Sequence, residues 1–154
     1  MRQNKKEINM KQIVFVCTGN TCRSPMAAAL FRAHDGEART GLTASSAGMF
    51  AHEGLPASEN AVLAVRELGG DLSAHRARQL TPEIVAEADY LVCMTAAHDD
   101  RLLERFPQAA DKIYTLSGRD VGDPFGGDLT VYRASAAAID EAIEALIRNL
   151  ERKA

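Results

Sequence analysis

The residues most capable of chemistry stand in one short segment, residues 17–25 (CTGNTCRSP), where Cys17 and Arg23 are separated by five residues. An apolar run precedes the segment, and Ser24-Pro25 favours the start of a helix because proline is common in the first helical turn. A loop between a strand and a helix can direct its backbone N–H groups at one point, and the helix dipole adds positive charge there. Because a guanidinium offers a planar pair of donors, Arg23 would complete a site for a tetrahedral oxyanion such as inorganic phosphate.

Cys17 stands at the base of this predicted loop. The positive field that binds an anion also favours a thiolate, so we expect the pKa of Cys17 to fall toward ~3.5–7.5. A thiolate facing a bound phosphate is an activated nucleophile. A lone buried cysteine at a strand end is more often a small apolar residue. The surrounding Gly19, Asn20 and Ser24 favour the catalytic interpretation.

Phosphoryl transfer also needs a group that protonates the leaving group. The candidate is Asp123 in residues 123–127 (DPFGG). Pro124 favours an extended backbone at the residue before it, and the two glycines allow the loop to fold back tightly. Taken alone, this segment is typical of an ordinary turn, and Asp120 is the next candidate for the acid.

The elements that must position these side chains alternate along the chain. Short apolar strands are predicted at 12–17, 42–46, 90–94 and 112–116, and helices at 24–33, 57–68, 96–106 and 129–150, with a short capped helix at Thr81-Pro82-x-Ile84. Alternating strands and helices predict an α/β fold with right-handed crossovers. We expect three layers, α/β/α, around a central, mostly parallel, four-stranded sheet with the phosphate-binding loop after the first strand.

Length and composition limit the classes of protein. The chain has 154 residues, 18 Lys+Arg and 21 Asp+Glu, and a net charge of −3. These values predict one domain over 12–154 preceded by a flexible extension over 1–11, and they argue against nucleic acid as a partner. No run is long and apolar enough for a membrane span. The three cysteines form neither a disulfide framework nor a zinc pattern, so we expect a cytoplasmic protein without metal or cofactor.

Four segments, in this order, resemble the low-molecular-weight protein phosphatase family over almost the whole chain from Gln12. They are VCTGNTCRSP (16–25), SAG (46–48), HRARQLT (75–81) and DPFGG (123–127). The resemblance implies a phosphorylated protein as substrate. It implies that Cys17 forms a phosphocysteine, that Arg23 binds the phosphate and that Asp123 acts as acid and then as base.

The resemblance also assigns supporting roles. Ser24 would hydrogen-bond the thiolate, and Asn20, Ser46 and His75 would hold the loop in shape. From the residues alone, His75 would be a surface histidine beside two arginines. The remaining residues expected to surround the substrate phosphate or its leaving group are Thr18, Gly19, Thr21, Cys22 and Phe125.

Thr21 departs from the tyrosine-directed members of the family, which usually carry isoleucine there, and resembles the branch that removes phosphate from protein arginine. A threonine is smaller and offers a hydroxyl to a guanidinium. Phe125 suits either substrate because it can contact a guanidinium or an aromatic ring. Met49 and Phe50 would form the opposite wall, although simple packing explains them equally well.

Other interpretations stay open. Cys22 could form a reversible disulfide with Cys17 or could simply be packed. A tyrosine phosphatase is the main alternative function. An arsenate reductase would need two further cysteines, whereas only Cys93, predicted to lie in the core, follows in the sequence. A non-catalytic phosphate-binding module would need neither Asp123 nor a thiol.

Overall fold

The computed structural model describes residues 11–117 and 120–153. The strands are β1 (Lys11–Cys17), β2 (Leu42–Gly48), β3 (Tyr90–Cys93) and β4 (Ile113–Thr115). The helices are α1 (Arg23–Ala33), α2 (Gly36–Thr40), α3 (Glu59–Glu67), α4 (Pro82–Glu87), α5 (Ala96–Arg105) and α6 (Leu129–Lys153), and a short 3₁₀ helix spans Pro107–Lys112.

The four strands form one parallel sheet in the order β2-β1-β3-β4. Strand β1 is central and pairs with β2 over its full length, so that Cys17 lies beside Gly48. On its other side β1 pairs with β3, with Val16 opposite Cys93. The strand order reverses direction at β1, and in open α/β sheets ligands bind at the carboxyl ends of strands at such a point.

Helices cover both faces of the sheet, as predicted. One core cluster packs β1 and β2 side chains such as Phe15 against α1, α3 and α6, whose buried residues include Phe31 and Ile143. A second cluster packs the opposite face, with Val14 among its strand residues, against α4 and α5, where Leu102 is fully buried. The predicted three-layer α/β/α fold with a parallel four-stranded sheet is confirmed.

Element boundaries differ from the prediction in a few places. Strand β1 begins at Lys11, one residue inside the expected extension, and residues 1–10 lie outside the described part of the chain. Helix α2 and the 3₁₀ helix are absent from the sequence prediction. In the parts that the structure describes, no helix combines the length and the apolar character that a membrane crossing requires.

Candidate active site

The phosphate loop, defined here as residues 17–24, joins the end of β1 to the start of α1. Helix α1 begins at Arg23 and points its N-terminal end at the loop. The backbone N–H groups of Asn20 and Ser24 donate to the sulfur of Cys17. Within residues 11–117 and 120–153, the N–H groups of Thr18 and Gly19 have no hydrogen-bond acceptor. The loop therefore offers several donors around the sulfur, as a tetrahedral oxyanion requires.

Cys17 is buried, and its Sγ lies 2.8 Å from the Oγ of Ser24. Burial raises the pKa of the Cys17 thiol above its ordinary value, because desolvation disfavours the thiolate. The Ser24 hydroxyl, two backbone N–H groups and the charge of Arg23 act in the opposite direction. The expected fall of the pKa of Cys17 is thus wrong for this structure, since desolvation outweighs the contacts that favour the thiolate.

Asn20 holds the phosphate loop from within. It is fully buried and adopts the left-handed backbone conformation, with φ of 60°. Its amide Nδ2 donates to Ser24 Oγ and to Ser46 Oγ, both at 2.9 Å. Its Oδ1 accepts from the backbone N–H of Arg78 at 2.9 Å, and His75 Nε2 lies 2.7 Å from its carbonyl oxygen. With all its groups bonded, Asn20 fixes a conformation that is otherwise unfavourable for a residue with a side chain.

The end of β2 supplies a second support. Gly48 lies so close to the loop that an added Cβ would stand 2.6 Å from the carbonyl oxygen of Thr18, so only glycine fits there. Beyond it, the N–H of Met49 donates to the Cys17 carbonyl, and the N–H of Phe50 donates to Thr18, each at 2.9 Å. The structure therefore brings the segment 46–50 against the loop, as the resemblance implied for Ser46.

Arg23 connects the phosphate loop to the acid loop, defined here as residues 120–127. Its guanidinium is buried; Nη1 donates to the Val121 carbonyl at 3.1 Å, and Nη2 lies 3.6 Å from Asp123 Oδ2. The side chain of Asp123 is 54% exposed, and its Oδ1 accepts from the Phe125 N–H at 3.0 Å. Asp120, the alternative acid, instead accepts from the N–H of Ala96 at 2.9 Å. The geometry thus favours Asp123 as the carboxylate beside the loop.

Two aromatic side chains stand exposed near the loops. Phe125 is 75% exposed and Phe50 is 59% exposed, with the guanidinium of Arg101 5.9 Å from the Phe50 ring centre. Met49 is only 1% exposed and belongs to the second core cluster. The expected wall of Met49 and Phe50 is therefore wrong for Met49, where the alternative of simple packing holds, because its side chain enters the second core cluster directly after the end of β2.

His98 is a contact that sequence reasoning missed. Its Nε2 lies 2.9 Å from the hydroxyl of Thr18, and its Nδ1 lies 3.0 Å from the hydroxyl of Thr95. Burial, together with the charge of Arg23, lowers the pKa of His98 to about 4. The partners are 80 residues apart in the chain, so no local pattern signals the contact.

The other two cysteines are buried. Cys22 Sγ lies 3.1 Å from the Ser58 hydroxyl and 3.2 Å from the Tyr132 hydroxyl. The thiol is therefore packed against the residue before α3 and against α6, two contacts that the sequence did not predict. Cys93 is fully buried in β3, as predicted. All three cysteines are free thiols in this structure. The disulfide between Cys17 and Cys22 stays a prediction.

The arrangement can bind a phosphate group against a nucleophilic sulfur, with an exposed carboxylate at the mouth. Within the described ranges, no group of three His, Cys, Asp or Glu side chains is placed to hold a metal ion. The groups that act on the sulfur are the Ser24 hydroxyl, the backbone N–H groups of Asn20 and Ser24, and the charge of Arg23.

Comparisons with known proteins agree with this geometry. A family model described as low molecular weight phosphotyrosine protein phosphatase matches residues 12–154. A protein-arginine-phosphatase of Geobacillus stearothermophilus is 44% identical over 91% of this chain and 96% of its own length.

Two solved structures extend the likeness. A low molecular weight protein tyrosine phosphatase from T. tengcongensis has a TM-score of 0.85 and 41% identity, covering 90% of this chain and 99% of its own. A variant of the arginine phosphatase YwlE, solved with a phosphorylated active-site serine, has a TM-score of 0.83 and 37% identity. That likeness covers 90% of this chain and 95% of the other.

Proposed function

The chain belongs to the low molecular weight phosphotyrosine protein phosphatase family, and from this premise we propose that it hydrolyses phosphoarginine in proteins, with Cys17 as nucleophile. It is a phosphatase, and its relatives include protein-arginine and protein-tyrosine phosphatases. The proposal concerns the substrate side chain and the residues that act on it.

In the first step, Cys17 attacks phosphorus as the thiolate, the form that the Ser24 hydroxyl, the N–H groups of the loop and the charge of Arg23 favour against the cost of desolvation. An S–P bond forms and the bond to the guanidino nitrogen breaks. The free N–H groups of the phosphate loop and the Arg23 guanidinium bind the three phosphoryl oxygens, where negative charge is spread in the transition state. The protonated carboxyl of Asp123 gives its proton to the departing nitrogen. The product of this step is free arginine side chain and a phosphocysteine.

In the second step, a water molecule attacks the phosphocysteine. Asp123, now a carboxylate, accepts the proton of this water, the S–P bond breaks, and inorganic phosphate and the thiolate form. The Ser24 hydroxyl, 2.8 Å from the sulfur, stabilises the thiolate as the leaving group. Because Arg23 Nη2 lies 3.6 Å from Asp123 Oδ2, a phosphate group bound by Arg23 would have the carboxyl beside it in both steps.

The proposal that the substrate is phosphoarginine rests on Thr21. Its side chain is half-buried in the loop, and its hydroxyl approaches only the Cys22 sulfur, at 3.8 Å, among the residues that the structure describes. That hydroxyl can accept a hydrogen bond from a guanidinium N–H near phosphorus. A site that hydrogen-bonds its substrate rejects an analogue without the donor far more strongly than a purely apolar site does.

Phosphotyrosine is the second candidate substrate, because the exposed rings of Phe50 and Phe125 are compatible with it as well. Aromatic side chains at the mouth of the site can stack on a phenyl ring. They can also contact a guanidinium, so they do not select between the two substrates.

The test is a comparison of kcat/KM for two peptides that differ only in the modified residue, phosphoarginine or phosphotyrosine. We expect the phosphoarginine peptide to be the better substrate by at least about tenfold, the effect of one hydrogen bond to a charged group. An equal or reversed ratio would contradict the arginine assignment. Hydrolysis of para-nitrophenyl phosphate is the control that the preparation is active.

We place the protein in the cytoplasm. The three free thiols, one of them the proposed nucleophile, suit a reducing compartment.

A further inference from the structure

Apart from the candidate active site, a cavity of about 210 Å³ lies between helix α1, strand β2 and the segment 75–78. Four ionisable side chains line it, and all four are basic: Arg32, Arg76, Arg78 and His75. We call it the arginine cavity. Its volume is below the ~300–1,000 Å³ of pockets for drug-sized ligands, so it suits a small ligand.

The three arginines differ from others on the surface. Arg39 is paired with Glu144 and Glu151, and Arg133 with Glu67, at 2.7–3.1 Å. In the ranges 11–117 and 120–153, by contrast, no carboxylate forms an ion pair with any of the three cavity arginines. Three cations around one cavity without an ion-paired carboxylate create a local positive potential.

Each guanidinium is held in place by groups that are not acidic. Arg32 donates to a β2 carbonyl at 3.2 Å, and Arg76 donates to the carbonyl of the preceding residue at 2.8 Å. Arg78 donates to the Ser46 carbonyl and to the Ser45 hydroxyl, both at 2.8 Å. Since a guanidinium has five N–H donors, each of the three retains donors for a ligand.

Two carboxylates flank Arg32 without lining the cavity. Glu37 accepts from the N–H of Ala44 at 2.8 Å, and Asp71 accepts from the N–H and hydroxyl of Ser73 at 2.8 and 2.6 Å. Both are oriented by these local donors, and neither forms an ion pair with Arg32 or lines the cavity, so their negative charge reduces the positive potential on the Arg32 side without abolishing it.

We propose that the arginine cavity is a second anion site, which binds a small multiply charged oxyanion such as inorganic phosphate or the phosphate group of a small molecule. Planar guanidinium forks match the oxygens of a phosphate, and charge-assisted hydrogen bonds of this kind are among the strong ones. This inference is independent of whether the substrate is phosphoarginine or phosphotyrosine.

The arginine cavity is directly connected to the phosphate loop. His75 Nε2 lies 2.7 Å from the Asn20 carbonyl, and the N–H of Arg78 donates to Asn20 Oδ1 at 2.9 Å. A bound anion would contact the residues that hold Asn20, and Asn20 in turn holds Ser24 beside the nucleophile. Binding at the two sites is then coupled, and each anion changes the affinity of the other by the same factor.

The experiment is a titration of the ¹⁵N-labelled protein with inorganic phosphate at constant ionic strength, followed by the backbone amide signals. Three proteins are compared: wild type, the double variant R32Q/R76Q and the control R148Q/R152Q. The control loses the same number of positive charges from helix α6, none of whose residues lines the arginine cavity. Arg32 and Arg76 are exposed, and neither touches the phosphate loop.

In wild type we expect two dissociation constants, one reported by amides 18–23 and the other by amides 44–46 and 76–78. In R32Q/R76Q the second should weaken by at least about tenfold, while binding to the loop shows that the fold is intact. The control should behave as wild type. A single dissociation constant in wild type, or an unchanged second constant in R32Q/R76Q, would overturn the proposal. Because the readout is binding, either result is distinct from failure of the phosphatase on either peptide.

Discussion

The phosphate loop and the acid loop are built in opposite ways. In the phosphate loop, Asn20 and Ser24 are fully buried and Cys17 is 3% exposed. In the acid loop, the side chain of Asp123 is 54% exposed and Phe125 is 75% exposed. Backbone contacts from the end of β2 and from the segment 75–78 fix the first loop around Asn20. The second loop is anchored at Asp120 and Val121 by the segment 94–96 and by Arg23, whereas Asp123 itself has only the nearby Arg23 and a short-range bond from Phe125.

This difference in burial indicates that the two loops have different tasks in the reaction. A site for developing charge works best when its donors are already oriented, because no reorganisation is then needed during the reaction. A proton donor at the mouth must instead allow a protein side chain to enter and the product to leave, and such loops are commonly exposed and mobile during turnover. Binding of phosphate should therefore depend on the first loop, and proton transfer on the second.

The largest effect is expected for Cys17→Ser. We predict that turnover falls by at least about 10⁴-fold, because the proposed nucleophile is lost. The loop should still take up phosphate, since its N–H groups and Arg23 remain. Steady-state hydrolysis of para-nitrophenyl phosphate checks the first statement and phosphate titration the second. Turnover within about tenfold of wild type would remove Cys17 from its role.

Asp123→Asn tests the proposed role of the acid loop in proton transfer. We predict that kcat on the peptide substrate falls by ~10²–10⁴, the usual contribution of a positioned acid, while phosphate affinity is retained. The loss should be smaller on para-nitrophenyl phosphate, whose leaving group needs less protonation. Asp120→Asn is the matched control, because its side-chain oxygen can still accept from Ala96. Equal rates for Asp123→Asn and wild type on every substrate would place the acid elsewhere.

Thr21→Ile should change which substrate side chain the phosphate loop accepts. Isoleucine removes the hydroxyl and adds bulk beside the leaving group. Leaving a guanidinium N–H unpaired costs ~1–3 kcal/mol, so the ratio of kcat/KM should move 5- to 150-fold, approximately, toward phosphotyrosine. Thr21→Ser keeps the hydroxyl and should keep the preference. A change below about threefold in Thr21→Ile would show that Thr21 is not the selector.

The smallest effect concerns His98, which lies between the two loops. The pKa of His98 is about 4 in the folded protein, below its value of ~6.5 in an unfolded chain. The unfolded state therefore binds more protons as the pH falls from 6.5 to 4, and folding stability decreases over that window. The loss of stability through His98 is on the order of 2 kcal/mol at pH 4.5. Urea unfolding at pH 7 and 4.5 should show this loss in wild type, and His98→Gln should lack it. An equal loss in both proteins would contradict the assignment.

The succession of strands and helices along the chain could be predicted from the sequence, because the signal for each element is local. The apolar run of β1, the helix formers of α1 and the stripe of Ile139, Ile143 and Ile147 on α6 each decide one element. Helix α2 was missed because it is only five residues long and begins after Asp35 in a left-handed conformation. Such short elements depend on tertiary contacts such as that of Glu37 with β2.

The site was predictable where its residues are adjacent in the chain or match a family motif. Cys17, Arg23 and Ser24 belong to one loop, and Asp123 was linked to them by the order of motifs. Three properties of the site could be seen only in the structure. They are the bonds of His98 and Arg78 to the phosphate loop, the burial of Met49, and the raised pKa of Cys17. Each depends on neighbours distant in sequence or on the depth of the side chain, which spacing does not encode.

The phosphocysteine intermediate can be trapped and identified on the protein. Asp123→Asn is mixed with para-nitrophenyl phosphate and quenched in acid, and the protein is digested and analysed by mass spectrometry. The first step needs little help with this leaving group, whereas hydrolysis of the phosphocysteine still lacks its base, so the intermediate should accumulate. We predict one phosphate per chain on the peptide that contains Cys17, and none in the double variant C17A/D123N. Phosphate on another peptide, or none on any, would contradict the central claim.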